Sequence, residues 1–144
     1  CEVVLMHRRG EPQTMQDAPH YDDVVAEVIV ELSARAEAAV AVGVARERVW
    51  LDPGIGFGKT AAHNLTLVRH LDRLVALGLP VLFGASRKRT IQSVDPTATG
   101  ADDRLGGSLA LALEAARAGA RAIRVHDVRE TVQALKLQAA IREA

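Results

Sequence analysis

A single cysteine, Cys1, stands among the 144 residues. An intrachain disulfide is therefore excluded, and such sparing use fits a reducing compartment such as the cytoplasm. Aromatic residues are only 3%, so the core has to be built from alanine, valine, leucine and isoleucine. We find no apolar run of transmembrane length and no signal-peptide pattern, so no membrane attachment is expected. No sign of charge dominates. Eighteen Lys and Arg offset eighteen Asp and Glu, which argues against a polyanion such as nucleic acid as the partner. The five histidines show no His-Glu-x-x-His type of spacing, so no protein metal site is expected. No Ser-His-Asp or Cys-His arrangement stands out either.

What is present is a hydrophobic content of 49%, enough for one domain with a real core and too much for a disordered chain. Apolar runs and helical periods alternate. Val3 to His7, Val49 to Asp52, Pro80 to Gly84 and Ala122 to His126 have the composition of short buried strands. A helix is expected from about Asp22 to Val42, capped by Asp22 or Asp23 and stopped by Gly43. Others are expected from near Asn64 to Gly78, from about Asp103 to Gly119, and from about Arg129 onward. The apolar stripes put Leu105, Leu109, Ala112, Leu113 and Ala116 inward on the third helix, and Val132, Leu135 and Ala139 inward on the fourth. Residues 86–100 read as a long polar loop with at most one helical turn.

The order βα, repeated four times, predicts α/β architecture with a parallel sheet covered by helices. A doubly wound sheet and half of an eight-unit barrel both fit. In either, ligands bind at the carboxyl ends of the strands. Those ends are His7, Asp52, Gly84 and His126, each followed at once by polar or glycine-rich sequence. The chain also starts as if a strand were already under way, and we expect a piece of a longer protein.

Asp52-Pro53-Gly54-Ile55-Gly56-Phe57-Gly58-Lys59-Thr60 is the first candidate. A strand-end aspartate can accept two hydrogen bonds from a ligand with adjacent N–H donors. It can equally cap local backbone N–H groups. The Gly58-Lys59-Thr60 ending suggests a P-loop, but the glycine that motif needs five residues earlier is Pro53, which has no N–H to offer a phosphate. The second candidate is Gly84 to Arg89, where three successive cations, Arg87, Lys88 and Arg89, suit an anionic or carbonyl-rich ligand or form an ordinary solvated loop. In the third, Arg124 and His126 point the same way along a strand and can hold a phosphate or diphosphate. The fourth is Met6-His7 with Gly10, Pro12 and Met15 following. Taken singly, Met6 reads as core filler, and His7 suits a structural hydrogen bonder and a functional group equally.

Together and in this order, the four segments resemble the dihydropteroate synthase family. Met6, His7, Gly10, Pro12 and Met15 match its first motif, and Asp52 to Phe57 with Lys59, Thr60 and Asn64 the second. Gly84, Ser86, Arg87 and Lys88 match the third, and Arg124 to Val128 the last. The resemblance covers nearly the whole chain. It implies the last four βα units of a (β/α)8 barrel, a fold of about 250 residues when complete. Residues 1–144 would be a partial pterin-binding domain without its N-terminal half. The implied reaction condenses 6-hydroxymethyl-7,8-dihydropterin diphosphate with 4-aminobenzoate to give 7,8-dihydropteroate and diphosphate in folate biosynthesis.

Roles follow from the resemblance residue by residue. Asp52 would accept the pterin amino and ring N–H groups. Lys88 would contact the carbonyl and ring-nitrogen edge. Arg124 would lie against the pterin and reach the anion, and His126 would bind the diphosphate. Phe57, beside Gly56, would line the aminobenzoate pocket, and Met6 would pack near the pterin. Lys88, Arg124 and His126 would be the catalytic residues. Mg²⁺ would arrive with the diphosphate, its protein ligand coming from the missing half. The implied assembly is a cytoplasmic homodimer through residues 103–118 and 129–143, and the family is a sulfonamide target. The sequence departs from the family after Lys88. Arg89 replaces a serine that helps hold the aminobenzoate carboxylate, and Thr90 and Gln92 replace a large apolar residue and a glycine. A relative that binds pterin without turnover is one alternative, motivated by those changes. A corrinoid-linked pterin methyltransferase is another, for which we see no corrinoid motif.

Overall fold

A computed structural model describes residues 1–144 except Pro12 and Gln16. Pro12, part of the first motif, therefore lies outside the described residues. Among the described residues four strands form, β1 (Val3–Met6), β2 (Val49–Asp52), β3 (Leu82–Phe83) and β4 (Ala122–Ile123). Their pairings are parallel. Val3 to Met6 stand opposite Val49 to Asp52, and Leu82 and Phe83 opposite Ala122 and Ile123. A parallel bridge from Leu51 to Val81 joins the two pairs, so spatial order follows sequence order. The expected strands at 80–84 and 122–126 are shorter than their apolar runs, since the chain leaves the ladder to enter the strand-end loops.

Helix α1 (Val24–Ala41) begins at Asp23, whose carboxylate accepts from the N–H groups of Val25 and Ala26 at 3.0 Å each. Of the two candidate caps, Asp23 is the one used. The helix ends in a Schellman turn. Gly43 N–H donates to the Val40 carbonyl and Val44 N–H to that of Ala39, with Gly43 at φ 98°. Val24, Val25, Val28, Leu32 and Ala36 form its buried face, each large one contributing about 1.5–3 kcal/mol by leaving water.

The second helical stretch divides into α2 (Ala61–Arg69) and α3 (Leu71–Val75). It starts three residues before Asn64, because Thr60 and His63 form a reciprocal capping box that an apolar stripe does not reveal. The 86–100 segment holds a short helix, α4 (Arg89–Val94), with Thr90 and Ile91 buried. Helix α5 (Leu105–Arg117) turns Ser108, Ala112 and Ala115 fully inward. Leu105, expected inward, is exposed. Close packing selects the small residues. A methyl added at Gly107 would meet the Ile91 side chain, so nothing larger than glycine fits at that position, while Leu111, one turn on, packs half-buried against the core. Helix α6 (Val128–Glu143) fully buries Thr131, while Val132, expected inward, is 43% exposed and Ala139 is exposed. Among the described residues nothing covers that side of α6.

Strand alternation sorts the sheet into two faces. Val49, Leu51, Val81, Phe83 and Ala85 are buried in the core beneath the helices. Met6, Asp52, Gly84 and Arg124 therefore lie on the opposite face, at the carboxyl ends of their strands. Val4 and Trp50 lie one layer below them, and Val4 is 46% exposed.

Candidate active site

Asp52 closes β2. Its Oδ1 accepts from Gly54 N–H at 2.7 Å, while Oδ2 makes no hydrogen bond among the described residues. Both sequence readings thus meet in one carboxylate, which caps the local turn with one oxygen and presents the other. Burial pushes its pKa above the ordinary aspartate range, against the pull of Gly54 N–H and of the Lys59, Lys88 and Arg124 cations.

The glycines that follow are dictated by a close crossing. A methyl at Gly54 would overlap the His7 carbonyl oxygen, and one at Gly58 that of Arg9. The 53–58 loop therefore lies directly on the chain leaving β1. Lys59, buried, stitches the crossing together. Its ammonium lies 2.9 Å from His7 Nδ1 and donates to the Gly54 and Phe57 carbonyls at 3.0 Å each. These bonds occupy its three donors, so it cannot act as a P-loop lysine. Burial lowers its pKa from 10.5 to about 8.

His7 has no exposed surface. Burial and then the Lys59 ammonium push its pKa from 6.5 to about 4. The ring is neutral at pH 7. Nδ1 accepts from Lys59, which leaves the ring proton on Nε2, 3.1 Å from Glu31 Oε2 in an alignment short of a hydrogen bond. Glu31 also pairs with Arg9 and Arg35, and Arg35 donates to the Met6 carbonyl at 2.8 Å. His7 is thus a structural group behind the site.

That burial has a measurable consequence. A folded-state pKa below the unfolded value means that stability is present above pH 6.5 and is lost as pH falls from 6.5 toward 4. The loss from His7 should approach about 3 kcal/mol. Urea midpoints of wild type and His7→Gln, measured between pH 7 and 4, should diverge accordingly. Equal pH slopes would reject the assignment.

The second and third candidates meet across the strand ends. Lys88 Nζ sits 4.3 Å from the centre of the Phe57 ring, and its stem lies beside Gly56. Burial lowers the Lys88 pKa, with Asp52 opposing. Ser86 Oγ lies 3.0 Å from His126 Nδ1 and accepts from His126 N–H at 3.3 Å. Arg124, exposed, flanks Gly84, where an added methyl would lie 3.8 Å from the Arg124 Cβ. Gly84, Ser86, Arg87, Lys88, Arg124 and His126 line one basic hollow of about 390 Å³. A neighbouring hollow of about 430 Å³ is bordered by Gly56, Lys59, Lys88, Arg89, Thr90 and Ser93. A larger one, about 750 Å³, opens at the amino ends of the strands near Arg46, Trp50 and Pro80, and unites none of the motifs.

The three successive cations do not act alike, which corrects the idea of one cationic run. Arg87, at φ 60°, reaches both oxygens of Asp127 at 2.6 and 3.1 Å and Asp102 at 2.6 Å. It clamps the loop to the start of α6. Lys88 turns inward, and Arg89 is exposed at the first turn of α4.

Sequence reasoning missed the supports. Arg104, buried, donates to the carbonyls of Arg87, Ala98 and Thr99 and to Gln92 Oε1 at 2.9 Å. Asn64 accepts from Gly56 N–H at 2.9 Å and donates to Thr90 Oγ1 at 3.1 Å. Thr90, which borders the second hollow and accepts from Asn64, and Gln92, which accepts from Arg104, are therefore both built into hydrogen bonding behind the site. Only a pattern of partners far apart in sequence could have revealed this. Among the described residues no group of three or more His, Cys, Asp or Glu could hold a metal ion. No helix among them is long and apolar enough to cross a membrane.

A parallel α/β sheet with these groups at its carboxyl edge defines a ligand-binding α/β enzyme, and the chain belongs to the pterin binding enzymes, matching that family over residues 1–126. Its relatives carry a more particular name. It is 49% identical over 138 residues to the dihydropteroate synthase of Escherichia coli K12, covering 94% of this chain and 47% of that protein. The structure of Yersinia pestis dihydropteroate synthase in a sulfonamide drug complex superposes with a TM-score of 0.93 at 42% identity, over 99% of this chain and 51% of that one. Xanthomonas albilineans dihydropteroate synthase in complex with 7,8-dihydropteroate gives 0.91 at 46% identity, over 99% and 51%. The chain thus spans about half the length of the curated relatives it matches.

Proposed function

We propose that this chain is the C-terminal half of a dihydropteroate synthase, four βα units of a (β/α)8 barrel. The full-length protein would form 7,8-dihydropteroate from 6-hydroxymethyl-7,8-dihydropterin diphosphate and 4-aminobenzoate. One observation carries the reading. Asp52, Lys88 with Gly56 and Phe57, and Arg124 with His126 converge on the same edge of the sheet, as an acceptor, an apolar wall and a basic hollow. The sheet face that bears them, with Val4 46% exposed, is the face a complete barrel would enclose.

In this reading Asp52 Oδ2 accepts the paired N–H donors of the pterin, and Lys88 donates to its carbonyl edge. The absence of a side chain at Gly84 leaves room for the flat ring beside Arg124, with Met6 at the same level. Arg124 and His126 hold the diphosphate. Their donors would stabilise negative charge building on the departing oxygen, with Ser86 Oγ 3.0 Å from His126 Nδ1 to orient the ring. The C–O bond to diphosphate breaks, leaving a cation-like methylene. The arylamine nitrogen forms the new C–N bond and releases a proton. Phe57 lines the aminobenzoate pocket, and Arg89, at the rim of the 430 Å³ hollow, replaces serine as donor to the carboxylate.

The described residues offer no ligand cluster for Mg²⁺, so the ion would be held by the diphosphate and by residues outside the chain. We place the protein in the cytoplasm, where the lone cysteine would stay reduced. The exposed Val128, Val132, Leu137 and Ile141 of α6 support a homodimer through α5 and α6. The test is turnover. Folded full-length protein should release dihydropteroate and diphosphate from the two substrates. Pterin binding with no product would leave a silent relative in its place.

A further inference from the structure

Resting on that reading, we propose that Lys59 is a positioning residue of the pterin site, holding Asp52 anionic and aimed through the residue they share, Gly54. Gly54 N–H donates to Asp52 Oδ1 at 2.7 Å, and the Gly54 carbonyl accepts from Lys59 at 3.0 Å. The ammonium is thus fixed to the far side of the turn that fixes the carboxylate. Its other contacts, His7 Nδ1, the His7 carbonyl at 3.5 Å and the Phe57 carbonyl, anchor the turn to the end of β1 and to the residue beside Lys88. Lys59 is only 3% exposed, and its ammonium is turned to the His7, Gly54 and Phe57 acceptors behind the hollow it borders.

A buried ammonium is costly unless something uses its charge. Hydrogen bonding alone would be met by a neutral donor. The charge has an evident recipient. Asp52 is buried and its carboxyl is pushed toward the neutral form, and the cations acting against this are Lys59, Lys88 and Arg124, with Lys59 first. Around Lys59 itself stand Asp52 and Glu31, which favour its charge, and Arg9 and Arg35, which oppose it, with neutral His7 in contact. Lys88 and Arg124 would be engaged by substrate in the working enzyme. Lys59 is the cation whose contacts a ligand leaves intact.

The experiment compares full-length wild type with Lys59→Met and with Lys59→Gln, which keeps an N–H donor for the Gly54 carbonyl but carries no charge. The readout is the pH profile of kcat/KM for pterin diphosphate, whose own ionisations are common to all three. Both variants should move the acid limb upward by about one pH unit, so that the loss is roughly tenfold on the limb and disappears on the plateau above it. A uniform loss at every pH, or rescue by glutamine, would overturn the proposal in favour of plain loop anchoring. Variants that fail to fold would overturn it too, making Lys59 a residue of the fold rather than of the site. If wild type itself neither binds nor turns over pterin diphosphate, the functional reading fails first. If wild type is active and the variants match it, only this inference fails.

Discussion

Asp52→Asn in the full-length protein should lower kcat/KM for the pterin substrate by about 100- to 1000-fold, while leaving the thermal midpoint within a few degrees. The turn explains why so small a change costs so much. The introduced asparagine must still satisfy Gly54 N–H, so its carbonyl oxygen takes the place of Oδ1. Its amide nitrogen is then forced into the place of Oδ2. Where the carboxylate offered an acceptor to two N–H donors, the variant opposes them with donors of its own. Losing a charge-assisted pair and leaving buried donors unmet amounts to about 3–4 kcal/mol. That is the expected range in rate, by the usual conversion of about 1.4 kcal/mol per tenfold. Steady-state kinetics beside calorimetric melting would check both halves. Activity within about fivefold of wild type would remove Asp52 from the site.

Gly54→Ala should be among the most destabilising single substitutions available, by more than about 4 kcal/mol. Two costs add. At φ 66° an alanine is strained by about 1–2 kcal/mol, and its methyl would overlap the His7 carbonyl. The second cost is the larger, because backbone on both sides of the crossing is held. Lys59 binds one strand to the other, and His7 N–H donates to the Asp52 carbonyl at 2.9 Å. Gly78→Ala is the control. Gly78 has a similar φ of 77° with nothing within 4 Å of the added methyl, so it should lose only the conformational share. Unfolding free energies of the two variants from urea titration should differ by several kcal/mol. Equal losses would mean that the crossing is looser than the structure has it.

Much of the fold was legible in the chain. Val49 to Asp52 form a strand over the whole span their composition suggested, because a short apolar run between turn signals has few other uses. The stripe of α1 faces the core as its period demands, and Gly43 stops it. Where the period failed, packing had overridden it. The apolar stripe of α5 points Leu105 inward, yet Leu105 is exposed and the fully buried positions are Ser108, Ala112 and Ala115, with Ile91 packed close on Gly107 beside them. α6 shows apolar residues outward because their expected cover is not among the described residues. Helix α4 was read as polar loop, since six residues carry too little period to be seen and its stability comes from Ile91, Thr90 and the Arg104 bonds.

The same division runs through the site. Asp52, Lys88, Arg124 and His126 were recognisable because each lies at a strand end or in the loop that follows one, and in a parallel sheet every strand end reaches the same edge. Sequence by itself therefore determined which residue types gather there, and the local patterns that bring them: a run of four strands, helix caps, and glycines at or after the first three strand ends. It could not assign the three cations at 87–89 their separate directions. Those depend on Asp102 and Asp127 for Arg87, and on the Phe57 ring for Lys88. Nor could it find the support beneath Asp52, where Lys59 meets His7 from 52 positions away. Periodicity and capping are written within a few neighbouring residues, so they survive in the linear order. Which partner satisfies a buried charge is decided only when distant segments close on one another, and that information exists in the tertiary structure alone.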